Sequence, residues 1–232
     1  MLSVHPSIFD FLEQLKRNNN RQWFSQNRER HYDIRKLIKT YGKYIEGKLQ
    51  KSDSIEKLKI FRINNDLRFR KDKTPYKTHF SFFYVRKKPA LRGGYYVHIE
   101  PGNSFIGVGF WKPEKEDLLR IRLEFEFDAD EFRDIISDKI FQNHWGILQG
   151  DELLTAPRGF PQDHPNIDLI RKKQFLFRKS FSDEEVLSEQ YLDNIVKHYE
   201  IIRPFLDYMS SVLTTNTDGE SIVPALFILV SD

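Results

Sequence analysis

The period of the hydrophobic residues changes twice along this chain, and that change limits what it can fold into. Up to about residue 51 apolar side chains recur at helical spacing, from about 59 to 111 they alternate, and beyond 114 the helical spacing returns. In the first stretch Ile8, Phe11, Leu12 and Leu15 predict a helix over Pro6 to Lys16. The run Asn18-Asn19-Asn20 marks a turn, because Asn tolerates left-handed backbone and bonds to its own main chain. A longer helix is expected from about Trp23 to about Lys51, with Tyr32, Ile34, Leu37, Ile38, Tyr41 and Ile45 as its apolar stripe.

The middle alternates. Strands are predicted over Lys59 to Ile63, His79 to Lys87, Gly94 to Glu100 and Ser104 to Trp111. The last two are separated by Pro101-Gly102-Asn103, which is turn chemistry between strands. Connections this short favour antiparallel pairing. Gly107 and Gly109 on one face of the final strand predict that a helix, another backbone or a ligand comes close there.

The C-terminal half reads as helices over Glu114 to Phe127, Ala129 to Ser137 and Asp163 to Lys172, the last with Pro165 at an early position. Ser182-Asp183-Glu184-Glu185 is a capping box. A helix over Gln190 to Leu213 contains Pro204, which should kink it. The apolar run Ile222 to Val230, interrupted by Pro224, is expected to be a final buried segment or edge strand. Helices, then strands, then helices give the α+β class rather than a parallel α/β sheet. The expectation is N-terminal helices, a central, mainly antiparallel sheet, and C-terminal helices packed on it. No repeat or low-complexity linker divides residues 1–232, which read as one domain.

Composition excludes several kinds of protein. With 39% apolar and 31% charged residues the chain can bury a core unaided. Its 20 Phe, 10 Tyr and 3 Trp make that core largely aromatic. The absence of cysteine removes a disulfide framework, a thiolate metal site and a cysteine nucleophile. Met1 to Asp10 lacks the plan of a secretory signal, and no apolar run approaches the roughly 20 residues of a spanning helix, so a cytoplasmic protein without membrane contact is expected. A net charge of +3 argues against a dedicated nucleic-acid binder, although a local basic cluster could still serve.

Such a cluster exists. Residues 62–77 carry six basic and two acidic side chains, a local charge of +4, in a loop between two strands. Long loops inside compact domains are usually functional or disordered, and Phe69, Pro75 and Tyr76 suggest one that is pinned down. Arg62 and Arg68 each offer a planar fork of donors to a phosphate or carboxylate, and Lys73 and Lys77 add point charges. Asp66 or Asp72 could orient an arginine, act as a base or hold a metal. A mixed-sign run of this kind is equally the composition of a solvated surface or of an ion-pair network.

A second constellation is the strand Tyr95 to Glu100. Its alternation puts Tyr96, His98 and Glu100 on one face. His98 and Glu100 could form an acid–base pair or two metal ligands, or simply a polar strand face. A third is Arg158-Gly159 with Asp163-His164-Pro165, where Asp163 is the expected cap of a helix whose N-terminus could help bind an anion. The chain has no Walker phosphate loop, no dinucleotide-binding glycine motif, no nucleophile elbow and no His-Glu-x-x-His. Its histidines, His5, His31, His79, His98, His144, His164 and His198, show no metal-ligand spacing among themselves, so no metal site is expected.

The spacing Arg62-x-x-x-Asp66-x-Arg68-Phe69-x-x-x-Lys73-x-Pro75-Tyr76 resembles the signature of a widespread microbial family called domain of unknown function 2461. Asn19-Asn20-Arg21-Gln22-Trp23-Phe24, Gly94 to Gly102, Gly109 to Pro113, Ala156 to Phe160 and Asp163-His164-Pro165 resemble its other motifs, so the likeness spans nearly the whole chain. One departure is Asn65-Asp66 where the family pattern has Arg-Asp, so a role for that arginine is either dispensable or filled by a neighbour such as Arg70. The resemblance implies an α+β fold and no established activity.

Three functional readings follow. The leading one is a site for a small phosphate- or carboxylate-bearing ligand made by Arg62, Arg68 and Lys73, with Tyr76 fixing the loop and His98, Glu100 or Asp66 as acid–base candidates. The second is a nucleic-acid or protein interaction module using the same loop with Trp23 and Trp111. The third treats the charges as a structural ion-pair network. The sequence specifies no cofactor and no oligomeric state.

Overall fold

Five antiparallel strands lie side by side in the order in which the chain makes them, β1-β2-β3-β4-β5. This is seen in a computed structural model that describes residues 2–68 and 74–223. The first helices are α1 (Ser7–Arg17), α2 (Arg21–Gln26) and α3 (Arg28–Leu49), followed by β1 (Ile55–Ile60), β2 (Phe80–Arg86), β3 (Gly94–Ile99) and β4 (Ser104–Phe110). Next come α4 (Lys115–Phe127), α5 (Asp130–Ser137), α6 (Lys139–Trp145), α7 (Ile167–Ile170), β5 (Phe175–Phe181), α8 (Asp183–Leu187), α9 (Tyr191–Ile201) and α10 (Arg203–Thr214). The architecture is α+β, as the periodicity required.

Several boundaries differ from the sequence expectation for local reasons. The long second helix breaks at Asn27, whose φ and ψ of −107° and 20° are not helical, which separates α2 from α3. The first strand runs earlier than expected and overlaps the expected span only at Lys59 and Ile60: alternation around Phe61 continues into a loop that still donates one ladder bond, from the Phe61 amide to the Ser81 carbonyl. Pro204 opens α10 near its first position, where a missing N–H costs nothing, so the chain makes two helices rather than a kinked one. The helix expected over Asp163 to Lys172 shrinks to the four-residue α7, whose N-cap position is Asn166 rather than Asp163 and makes no side-chain cap bond. Helix α6 and strand β5 were not expected. The capping box at Ser182 forms in full. The run from Ile222 lies almost entirely outside the described residues, as does Lys73.

Two compact units can be distinguished, and the chain passes between them several times. The described residues of Met1–Tyr84, Tyr96–Ile106 and Ser180–Lys197 form one, and those of Val85–Tyr95, Gly107–Lys179 and His198–Asp232 the other. In the first, Phe11 of α1 stacks on Phe80 of β2 at 6.3 Å, and the Tyr84 hydroxyl donates to the Gly42 carbonyl of α3 at 3.0 Å. In the second, Phe177 of β5 meets Phe205 of α10 edge-on at 5.1 Å, and Phe125 of α4 lies 5.8 Å from Phe175. Both cores are built from rings, which bury large areas with few rotamers to freeze.

The second unit also contains the close approach expected at the glycines of β4. Gly109 has φ of 132°, and a Cβ there would sit 2.0 Å from the Phe175 carbonyl oxygen. What comes close is therefore the backbone of β5. Along β3, Tyr95, Val97 and Ile99 are fully buried, whereas Tyr96 on the other face is half-buried. That second face carries the polar side chains.

Candidate functional site

The polar face of β3 is held in one arrangement by hydrogen bonds along its length. The Tyr96 hydroxyl lies 3.1 Å from Nδ1 of His98, and Nε2 of His98 lies 3.1 Å from Oε2 of Glu100. Both bonds follow from the strand's two-residue period, which stacks alternate side chains on one side. His98 is only 7% exposed, and Phe105 of β4 stacks on its ring at 4.5 Å with an interplanar angle of 18°.

Glu100 is held from three sides. Thr78 Oγ1 donates to Oε1 at 2.6 Å, and Asn103 Nδ2 donates to Oε2 at 2.8 Å, beside the His98 contact. Asn103 is in place because the turn closes tightly: its amide donates to the Glu100 carbonyl at 3.0 Å, and Gly102 takes the positive φ of 72° that a type II turn needs. Burial pushes the Glu100 carboxyl up, but the bonds from Thr78, Asn103 and His98 together outweigh it and hold the group below its ordinary range. Burial raises the Tyr96 phenol, and the Glu100 charge adds to that rise against an opposing bond from Ser81.

The sheet adds a histidine that sequence spacing did not connect. The His79 ring, one residue before β2, lies 4.1 Å from the His98 ring. One nitrogen from each of His79 and His98 and one carboxylate oxygen of Glu100 all fall within 4.8 Å of one another. The available signal was that His79 opens the alternating run containing Ser81 and Phe83. What was missing was the β2–β3 register that brings His79 beside His98.

The basic loop begins next to this cluster. Lys59, Phe61, Arg62, Asn65, Asp66, Arg68 and Lys77 line a cleft of about 740 Å³. Lys59 and Lys77 place their ammonium groups 5.0 and 5.8 Å from the centre of the Phe61 ring. The same ring meets Tyr96 edge-on at 6.2 Å. Lys77 is further fixed by donating to the Arg62 carbonyl at 2.8 Å, and its neighbour Thr78 is the donor to Glu100. Two contacts thus link the loop to the polar strand face, Phe61 to Tyr96 and Thr78 to Glu100. A second cleft, of about 490 Å³, is lined by Thr78, Glu100, Lys16, Arg17 and Asp183 among others, so Glu100 also faces open space.

The remaining sequence candidates fall into place as follows. Arg62 and Arg68 line the cleft and are exposed. The fork of Arg68 is engaged locally: Nε and Nη2 donate to the two oxygens of Asp66 at 3.0 and 2.7 Å. That guanidinium holds the Asp66 carboxyl below its usual range, which makes Asp66 a poor proton acceptor. The pair is solvent-exposed, so an ion pair here adds little to folding.

Tyr76 is buried and serves the loop. Its ring stacks on Phe24 at 3.9 Å, its amide donates to Oδ1 of Asn19 at 3.1 Å, and its carbonyl accepts from Nδ2 of Asn19 at 2.9 Å. Asn20 caps α2 by accepting from the Trp23 amide. The Asn19-to-Phe24 motif is thus a clamp on the Pro75-Tyr76 end of the loop. Trp23 packs 5.7 Å from Phe11, and Trp111 is 67% exposed.

Residues 7–208 match the family described as conserved hypothetical protein (DUF2461). The chain belongs to the DUF2461 family. The chain matches no curated protein and no solved structure. In this DUF2461 member the Asn19-to-Phe24 segment grips the Tyr76 end of the basic loop. The loop's last residues in turn border the strand that carries His98 and Glu100. Among the described residues of this DUF2461 chain, no helix is long and apolar enough to cross a membrane.

Proposed function

We propose that this chain binds a small phosphate- or carboxylate-bearing ligand in the cleft of Arg62 and Lys77, with the reacting part of that ligand directed toward the Tyr96–His98–Glu100 face. The observation that carries this is the shared position of Phe61, whose ring lines the basic cleft and contacts Tyr96. Cations in a cleft hold an anion, and a neighbouring group that can donate or accept protons can act on what is attached to it. Lys59, Arg62 and Lys77 supply the charge, and the Asp66–Arg68 pair forms one wall. The cleft is open and several of its lining side chains are cationic, which suits a hydrated anion.

The test is a thermal-shift and calorimetric titration with inorganic phosphate, pyrophosphate, sugar phosphates and dicarboxylates, using the wild type and an Arg62→Ala/Lys77→Ala variant. A ligand present at 100 times its dissociation constant adds about 2.7 kcal/mol, a shift of several degrees. The expected result is a shift in the wild type that the double variant loses while staying folded. Equal shifts in both proteins, or none in the wild type with any of these anions, would overturn the proposal.

A further inference from the structure

We infer that His79, His98 and Glu100 form a binding site for one divalent transition-metal ion, a site that does not depend on the anion-binding reading. Two imidazole nitrogens and one carboxylate oxygen within 4.8 Å of one another are the donor set of a two-histidine, one-carboxylate centre. Donors about 2.1 Å from a shared zinc ion sit about 3.4 Å apart at tetrahedral angles. The His98 Nε2 to Glu100 Oε2 distance of 3.1 Å is close to that spacing, and the His79 nitrogen lies within 4.8 Å of both.

What separates this cluster from a chance meeting of polar side chains is the support around it. Histidines that ligate metals pass their other ring nitrogen to a fixed partner, and ligating carboxylates are themselves hydrogen-bonded. Here the Tyr96 hydroxyl takes Nδ1 of His98, which leaves Nε2 as the ligand atom. Thr78 takes Oε1 of Glu100, which turns Oε2 toward the histidine, and Asn103 fixes Oε2 from behind. Phe105 packs flat against the His98 ring and holds its plane. The nearly buried His98 sits in the middle, while Glu100 opens into a cleft through which an ion can arrive.

The donor set also selects the ion. Two imidazoles favour zinc, iron, cobalt or nickel over magnesium and calcium, which prefer all-oxygen sites. Three protein ligands leave at least one coordination position for water or a ligand atom. A metal on Nε2 and a proton on Nε2 exclude one another, so in the loaded protein His98 is a ligand and not the acid–base group.

The experiment titrates the full chain, first dialysed against a chelator and kept in a non-coordinating buffer, with Zn²⁺ by calorimetry and with Co²⁺ by visible absorption. The expected result is one ion per chain, with affinity lowered at least about tenfold in His79→Ala and in Glu100→Gln. His79 is half-buried, so its variant tests the site even if His98→Ala fails to fold, and circular dichroism confirms the fold of each variant. His144→Ala is the control, because Nδ1 of His144 lies 3.1 Å from Nδ1 of His198 and that pair is the competing imidazole site. No stoichiometric binding of either ion, binding that His79→Ala and Glu100→Gln leave unchanged, or binding lost only in His144→Ala would each overturn the inference.

Discussion

Thr78 Oγ1 donates to Glu100 Oε1 across 2.6 Å, which ties the last stretch of the basic loop to the end of β3. The bond joins the two regions that carry most of the chain's chemistry, and it is made by a residue whose neighbour Lys77 lines the basic cleft. Thr78→Val keeps the shape and removes the donor. The expected cost is about 1 kcal/mol, read from urea unfolding, because a half-buried carboxylate loses one of its partners. The variant should also weaken Zn²⁺ binding, by less than His79→Ala does, since Oε2 would no longer be aimed.

Asn19 satisfies both backbone groups of Tyr76 with one side chain. Asn19→Ala leaves a donor and an acceptor without their partner in a half-buried setting, which should cost about 1–3 kcal/mol. Hydrogen exchange across residues 60–80 should accelerate in this variant. Unchanged exchange there would show that the Phe24–Tyr76 stack alone holds the loop.

Arg68→Ala should unfold at nearly the same denaturant concentration as the wild type. Its ion pair with Asp66 is local and exposed, and such pairs are screened by solvent and salt. A large loss of stability would instead favour the reading in which the loop's charges form a structural network.

Gly109→Ala should be the most damaging single change considered. A methyl group there meets the Phe175 carbonyl oxygen at 2.0 Å, and the backbone is in a φ region that only glycine enters easily. A loss of about 3 kcal/mol or more is expected, measured as a fall in Tm of several degrees.

Arg133 forks onto Asp168, with Nη2 and Nη1 at 2.7 and 3.3 Å from its two oxygens. Burial raises the Asp168 carboxyl, but Arg133 and the backbone amides outweigh it, so its folded value lies below the ordinary one. A group depressed in the folded state stabilises above its unfolded pKa and loses that contribution as pH falls through the folded value. Asp168→Asn should therefore cost about 0.5 kcal/mol at pH 7, a partly exposed pair being weak, and the difference from wild type should shrink as pH falls toward the folded value. Urea unfolding at pH 7 and at pH 3 reads it directly.

How much of this was legible beforehand varies by residue. The Tyr96–His98–Glu100 face could be read from the strand period alone, because alternation is a property of any extended backbone. The turn at Pro101-Gly102-Asn103 was equally local. Asn103's bond to Glu100 follows from that turn, but it was not visible as a site residue. His79 and Phe61 were missed because their significance is a matter of which residue lies across from which in neighbouring strands, and register between strands has no local code. Strand β5 was missed because Phe175–Phe181 carries no turn signal before it and pairs only at the edge of the finished sheet.

The amino-acid sequence by itself determined the α+β class, the helical and extended stretches, the aromatic core and the concentration of positive charge between residues 62 and 77. Each depends on interactions among residues close along the chain or on composition. Tertiary structure decided that Asp66 pairs with Arg68 in solvent, that Asn19 grips Tyr76, and that His79 joins His98 and Glu100. These are contacts between groups held apart by loops or strands, or choices among partners equally near in sequence. Only the packing of the sheet and the closing of the loop select among them.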